Sequence, residues 1–197
     1  MKDPMSLLTD LFTGRKKRID QVLRDLAEGP DRFFYVREWA CRPGATPEEA
    51  ARALALVDGE PMTFAAGIAE IERAPDRVFI APYAGAAFLF AQQIGLGDLH
   101  QRLSRTGSGA AYAVFLDDKR YNILCSRAVA GQTVRELALN DDGFSQEGAA
   151  AANEPPFHSA DDLSGPSVLA LAATWGPDPR ALIGAAPPGW LYSTARR

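Results

Sequence analysis

The chain has 197 residues, of which 47% are hydrophobic and 23% charged, and its formal net charge is −4. These values are typical of a globular domain and argue against a chain that is disordered throughout. The longest apolar run, Ala84 to Ala91, is far shorter than the ~20 residues that a membrane helix needs. No apolar signal core follows the first residues, so we expect a soluble, cytoplasmic protein without a membrane partner.

Residues 1–30 are predicted to form an N-terminal helical segment. Apolar residues recur at helical spacing over about residues 4–28, and Gly29-Pro30 ends the pattern. A basic run from Arg15 to Arg18 lies between the two halves of this pattern. We interpret the run as a solvated turn, and the alternative is a contact with phosphate or with an acidic partner.

Residues 31–184 are predicted to form a single domain, and its clearest local signal is a helix start. The run Thr46 to Glu49 has Thr at the N-cap, Pro at the first helical position and Glu at the third, which is a capping box. We expect an alanine-rich helix from there to about Val57, and shorter helices near 62–72 and 98–103. Arg32 to Trp39, rich in aromatic residues, fits either a strand or the start of a buried helix.

Five short strands are predicted in the middle of the chain, at 77–83, 86–93, 110–116, 121–129 and 132–139. Their spacing and turn-sized gaps favour an antiparallel meander. Residues 143–159 look irregular, and helices are expected at about 166–175 and 178–184. Because helices and strands come in separate blocks, the sequence predicts an α+β fold: an antiparallel meander sheet of about five strands with helices packed on one face. Residues 185–197 are expected to be a loose tail.

The sequence contains no pattern that assigns a catalytic, metal-binding or cofactor-binding residue. The two histidines, His100 and His158, belong to no zinc-binding pattern, and the glycines between 95 and 109 match no phosphate-binding loop. Ser108 lacks the glycine spacing of a nucleophile elbow. Cys125 lies within a predicted strand, which favours an inert core thiol over a nucleophile.

One asymmetry of charge points to a binding function. No Lys or Arg occurs between Glu136 and Pro179, while the same stretch contains eight Asp and Glu residues. A segment of one sign can steer an oppositely charged partner, and loops are where binding residues concentrate. The alternative is that these acids only keep the protein soluble. The same negative charge argues against nucleic acid as a partner, because phosphates would be repelled.

The chain resembles small bacterial immunity-type proteins that are encoded beside secreted toxins. The resemblance lies in the meander from Val78 to Leu139, the turn-and-acid stretch Gly143 to Gly148 leading to Glu154, and the ending Val168 to Pro179. It covers roughly residues 77–183 and is a pattern of residue classes. The resemblance implies a non-enzymatic inhibitor that plugs the active site of a toxin, with no catalytic residues to carry over.

We therefore predict a non-enzymatic protein-binding module that meets a basic protein partner, such as a toxin, through an acidic surface. The predicted partner-binding residues are Asp141, Asp142, Phe144, Glu147, Glu154, Asp161 and Asp162. Phe144, Phe157 and Trp190 are the candidate apolar anchors. Two alternatives stay open: a hydrolase-type enzyme that uses Glu136, Glu147 or Glu154 as acid–base groups, and a structural component that self-associates through its N-terminal helices.

Overall fold

The computed structural model describes residues 13–14, 16–17, 20–22, 24, 34, 38–92, 98–105, 109–117, 122–140 and 142–194. The strands are β1 (Glu38–Pro43), β2 (Leu56–Met62), β3 (Arg77–Tyr83), β4 (Ala86–Ala91), β5 (Ala110–Asp117), β6 (Asn122–Val129), β7 (Gln132–Asn140), β8 (Gly143–Gly148) and β9 (Gly189–Thr194). The helices are α1 (Pro47–Ala53), α2 (Phe64–Arg73), α3 (Leu99–Ser104), α4 (Gly165–Trp175) and α5 (Pro179–Ala185), and a 3-10 turn lies at Ala160–Asp162. Residues described between 13 and 24 are helical.

All nine strands of the described chain belong to one antiparallel sheet, in the order β2-β9-β3-β4-β1-β5-β6-β7-β8. The predicted fold class, a meander of about five strands, is therefore wrong, and the protein is a mostly-sheet fold. The five predicted strands are present as β3 to β7, but β4 and β5 do not pair with each other. Strand β1 lies between them and pairs with both.

Strand β1 lies at the centre of the sheet, and the segment that the sequence left open between strand and helix, Arg32 to Trp39, overlaps it only at Glu38 and Trp39. Trp39 is the register partner of Phe90 in β4 and of Val114 in β5. The first five residues of β1 are all buried, so the strand shows no alternation of apolar and polar residues. Because Glu38 and Arg42 are buried charged residues, β1 also lacks the continuous apolar run that is typical of a strand covered on both faces.

The expectation of a loose C-terminal tail is also wrong, because residues 189–194 form β9. This strand pairs with β2 on one side and with β3 on the other. Leu191 is buried against one face of the sheet and Tyr192 against the other. The last strand in the chain is thus an interior strand of the sheet.

Helices cover both faces of the sheet rather than one. Face A contains the larger core, in which Trp39, Phe79 and Tyr112 pack against residues of α2, α4 and α5. Face B contains a smaller core, in which Ala40 and Leu89 pack against residues of α1 and α3. The face A core also includes Val22 and Phe34, both fully buried, so part of the N-terminal segment belongs to the same core.

The capping box predicted for α1 is confirmed. The Thr46 hydroxyl accepts a hydrogen bond from the Glu49 backbone N–H at 3.3 Å, and the Thr46 N–H donates to the Glu49 carboxylate at 2.9 Å. The helix ends at Ala53, earlier than expected, because Ala55 turns the chain with a φ of 56° and β2 begins at Leu56.

Candidate interaction surface

The acidic stretch singled out in the sequence begins in the β7–β8 hairpin, at the outer edge of the sheet. Asn140 and Gly143 are register partners, and a two-residue loop joins them. The Asn140 side chain closes this loop by accepting from the Asp142 N–H at 2.9 Å, and Asp142 is exposed. Asp141 lies outside the described residues.

Two carboxylates lie directly opposite each other on face B of this hairpin. Glu136 of β7 is the register partner of Glu147 of β8 and of Ser126 of β6. The Ser126 hydroxyl donates to the Glu136 carboxylate at 3.0 Å, whereas Glu147 is exposed. Like charges directly opposite each other on two strands destabilise a sheet, so folding stability does not account for this pair.

Glu154 lies inside the protein, although the sequence placed it on the contact surface. Its carboxylate pairs with the Arg135 Nε at 3.0 Å, and the two side chains are only 1% and 5% exposed. The other carboxylate oxygen accepts from the Trp175 indole N–H at 2.8 Å. Glu154 therefore ties α4 to β7 and does not meet a partner in this fold.

Arg135 uses its remaining donors to fix the end of β8. It donates to the Glu147 and Gly148 carbonyls at 3.2 and 3.1 Å and to the Gln146 side-chain oxygen at 3.0 Å. Gln146 in turn donates to the Phe157 carbonyl at 3.0 Å. These bonds hold β8 and the loop that follows it in one arrangement, so the carboxylates on face B lie on a supported strand.

Gly148 ends β8 in a conformation that favours glycine. Its φ is 77°, and a Cβ atom at this position would lie 2.0 Å from the Val134 carbonyl oxygen. Val134 lies next to the register shift between β6 and β7, where Arg127 pairs with Arg135 and Ala128 with Thr133. Only a residue without a side chain allows the two strands to approach so closely.

Asp161 and Asp162 belong to the 3-10 turn before α4, and the peptide group between Phe157 and His158 links this turn to Gln146 of β8. Asp162 caps the 3-10 turn by accepting from the His158 and Ser159 N–H groups, and Asp161 beside it is exposed. This turn leads through Leu163, which is buried in the face A core, into α4. The carboxylates therefore do not form one continuous face: Glu136 and Glu147 lie on face B, and Asp161 and Asp162 lie in the loop that leads into the face A helices.

Asp178, the last acid of the stretch, pairs locally with Arg180. Burial pushes the pKa of Asp178 up, but the hydrogen bonds and the charge of Arg180 outweigh this effect, and the net pKa is lowered. The contact, at 3.0 Å, lies at the start of α5, where Asp178 also accepts from the Arg180 N–H. This acid stabilises a helix start.

The three aromatic residues considered as anchors occupy different positions. Phe144, in β8, is half-buried and packs against the face A core. Phe157 is buried in that core, and Trp190 is half-buried against the face B core. Phe144 is thus the one of the three that belongs to the β7–β8 hairpin, on the opposite face of the sheet from Glu136 and Glu147.

The described residues contain no group of three or more His, Cys, Asp or Glu residues that could hold a metal ion. The two cysteines are both buried. Burial raises the pKa of the Cys41 and Cys125 thiols to about 12, so both are protonated at neutral pH. Within the same residues, no helix has the length and apolar character that crossing a membrane requires.

We compared the chain with protein-family models, with curated proteins and with solved structures, and nothing matched.

Sequence reasoning missed Arg135 and Ser126, although one signal for Arg135 was present. Arg135 alternates in phase with Leu137 and Leu139, which places it on the buried side of β7. A buried arginine needs a carboxylate, so the alternation predicts an acidic partner somewhere in the chain. No local signal identifies Glu154 as that partner, because it follows in a loop.

Proposed function

We propose that this chain is a non-enzymatic protein-binding module that meets a basic partner at the outer edge of the sheet. We define the β8 edge as β8 itself together with Glu136 and Asp142. The supporting observation is that Glu136 and Glu147 lie directly opposite each other on face B in the described structure, in a stretch without Lys or Arg. An arrangement that costs stability and faces outward is typical of a surface kept for binding.

The geometry supports binding more than acid–base catalysis. Glu136 and Glu147 stand on the face of a sheet at its edge, and Glu154, the third carboxylate of the hydrolase alternative, is held by Arg135 and Trp175. Carboxylates at such a rim act mainly on the association rate and on its salt dependence. Asp142 and Glu147, both exposed, are the acids best placed for this role.

Neutralisation of a toxin in the cytoplasm is the narrower form of the proposal, and it rests on the resemblance described above. Of the predicted partner-binding residues, Asp142, Phe144 and Glu147 belong to the β8 edge. Asp161 and Asp162 belong to the loop before α4. The self-association alternative through the N-terminal helices receives less support, because Val22 and Phe34 are buried in the face A core of the same molecule.

A charge-reversal experiment tests the proposal. The double variant Asp142→Lys/Glu147→Lys is compared with the wild type for retention of proteins from a lysate of the source organism, at low and at raised salt. We expect one basic protein to be retained by the wild type and lost from the variant. With that protein purified, the association rate should fall about tenfold or more at low salt, because rim charges act on encounter.

The matched control is Glu60→Lys/Glu72→Lys, which makes the same change in net charge at exposed positions on β2 and α2. The control variant should retain the partner as the wild type does. Equal retention by all three proteins, or equal loss from both variants, would contradict a role for the β8 edge.

A further inference from the structure

We propose that the β8 edge binds its partner by strand addition, with an extended basic segment of the partner pairing antiparallel to β8. The inference rests on the proposed function and names the mode of binding. Exposed sheet edges are templates for such pairing, in which backbone hydrogen bonds give affinity and alternate side chains give specificity.

The two edges of the sheet differ in how well they could accept a strand. The β2 edge has a register shift between Val57 and Glu60, a left-handed residue at Asp58 and a proline at 61. All three features interrupt or block edge pairing. Strand β8 contains no proline, and its register with β7 runs without a shift from Gly143 to Gly148. Within the described residues, no further strand pairs with β8.

The hairpin geometry identifies the backbone groups that point outward. A two-residue loop makes Asn140 and Gly143 a hydrogen-bonded pair, and such pairs then alternate along the ladder. The N–H and C=O groups of Phe144 and Gln146 therefore point away from β7. Arg135 already donates to the Gly148 carbonyl, so the stretch that can accept a new strand is centred on Phe144 to Gln146.

The side chains of β8 define what the added strand should carry. On face B, the partner residue opposite Glu147 would lie one strand spacing, about 5 Å, from Glu147 and two spacings from Glu136, a distance that the long side chain of Lys or Arg can bridge. On face A, the residue opposite Phe144 would extend an apolar contact with the core. In an antiparallel strand these two residues are three positions apart, with the basic one first.

Charge also argues against a second copy of this chain as the occupant. Pairing two β8 edges would bring Glu147 and Asp142 of one copy close to the same acids of the other. Like charges on paired strands are destabilising, and no Lys or Arg occurs between residues 136 and 179 to offset them. A basic segment is therefore the occupant that this edge fits.

The test uses the whole protein and synthetic peptides. The probe is an eight-residue β-prone peptide that carries one lysine followed, three positions later, by one valine. Two further peptides keep the same side chains and have N-methyl groups on the backbone amides that would face β8 or on those that would face away. Binding is measured by NMR titration of the Phe144 and Gln146 backbone amides.

We expect the parent peptide and the outward-methylated peptide to bind equally and to shift these two amides. The inward-methylated peptide should bind about tenfold more weakly, since it loses backbone hydrogen bonds. The protein variant Glu147→Lys should bind the parent peptide more weakly by a similar factor, while Glu60→Lys should bind it with the affinity of the wild type.

Other outcomes would overturn the inference. Equal binding of both methylated peptides would mean contact through charge without strand addition, and the charge-reversal result above would then still support the proposed function. If the parent peptide does not bind at millimolar concentration, the β8 edge is not a site for a basic strand. The same conclusion follows if the protein dimerises and the Glu147→Lys substitution strengthens the dimer.

Discussion

Arg135 and Glu154 form the most consequential residue pair in the described structure. Two charged side chains almost fully removed from water lose a large hydration energy, which mutual attraction offsets only where the remaining donors and acceptors are also bonded. Here the Arg135 guanidinium reaches two carbonyls and one amide oxygen besides Glu154, and Glu154 also accepts from Trp175. Removing one member leaves the other charge buried without its partner.

We therefore expect Glu154→Ala to lower the free energy of unfolding by about 3–5 kcal/mol. Glu154→Gln should cost less, because an amide oxygen can still accept from the Trp175 indole. The measurement is urea unfolding followed by tryptophan fluorescence. Glu147→Ala, a carboxylate removed from an exposed position in the same part of the chain, should change the free energy of unfolding by under about 0.5 kcal/mol.

A similar loss in the free energy of unfolding for Glu154→Ala and Glu147→Ala would contradict the buried ion pair.

The Arg135–Glu154 pair also shows why the site was only partly predictable from the sequence. Composition identified the stretch that lacks Lys and Arg, and the alternation of β7 placed Arg135 inward, but pairing with a loop residue 19 positions away depends on the tertiary fold. The acids that look equivalent in sequence are therefore divided between structural and exposed roles.

At the scale of elements, α3 is fixed to face B by a small polar set around the β6–β7 hairpin. The His100 imidazole Nε2 lies 2.8 Å from the Thr133 hydroxyl oxygen, and that hydroxyl also accepts from the Gln101 side chain at 2.9 Å. Ser104 accepts from the Gly131 N–H at 2.9 Å. Because Gln101 is a donor, the Thr133 hydroxyl proton is available to a neutral His100, which fits the buried position of the ring.

The docking of α3 should make stability depend on pH. Burial lowers the pKa of His100 from its ordinary 6.5, although the charge of Asp98 opposes this effect. In the unfolded chain the imidazole has its ordinary pKa, so below that pKa the unfolded state binds more protons than the folded state. The free energy of unfolding should therefore fall as the pH drops through 6.5, and the fall should stop below the folded-state pKa.

The measurement is the melting temperature of the wild type and of His100→Gln between about pH 7.5 and about pH 5. The variant should be less stable at the higher pH and should show a smaller change across the range. His158→Gln, at an exposed position, should leave the wild-type change in place. A His100→Gln profile parallel to that of the wild type would show that this histidine is not the group responsible.

Elements were predictable where their signal is local. The capping box located α1, and alternation with turn-sized gaps located β3 to β7 within one or two residues of most ends. The missed strands lack such signals. Strand β1 is buried on both faces, β2 has a left-handed residue at Asp58 and a proline at 61, and β8 is short and begins and ends with glycine. These segments form strands because neighbouring strands of the sheet pair with them.

At the scale of the whole molecule, the order of strands places the first and the last described strands inside one sheet. Strand β1 lies between β4 and β5, and β9 lies between β2 and β3. In both positions a strand pairs with segments that are far apart from it in sequence. Such pairing cannot be predicted from the pattern of neighbouring segments. The sheet is consequently complete only when the last strand has joined it.

This arrangement makes the C-terminal strand a requirement for folding. Removing residues 189–197 would leave β2 without its only partner in the described sheet, open an edge along β3, and remove Leu191 and Tyr192 from the two cores. We expect the truncated chain to lose its cooperative thermal transition and its near-ultraviolet circular dichroism. A peptide of residues 187–197 added to the truncated chain should restore part of the signal. The loss of an interior strand that buries side chains on both faces should open both cores. If a chain that ends at residue 188 melts as the full-length protein does, β9 contributes nothing to the sheet.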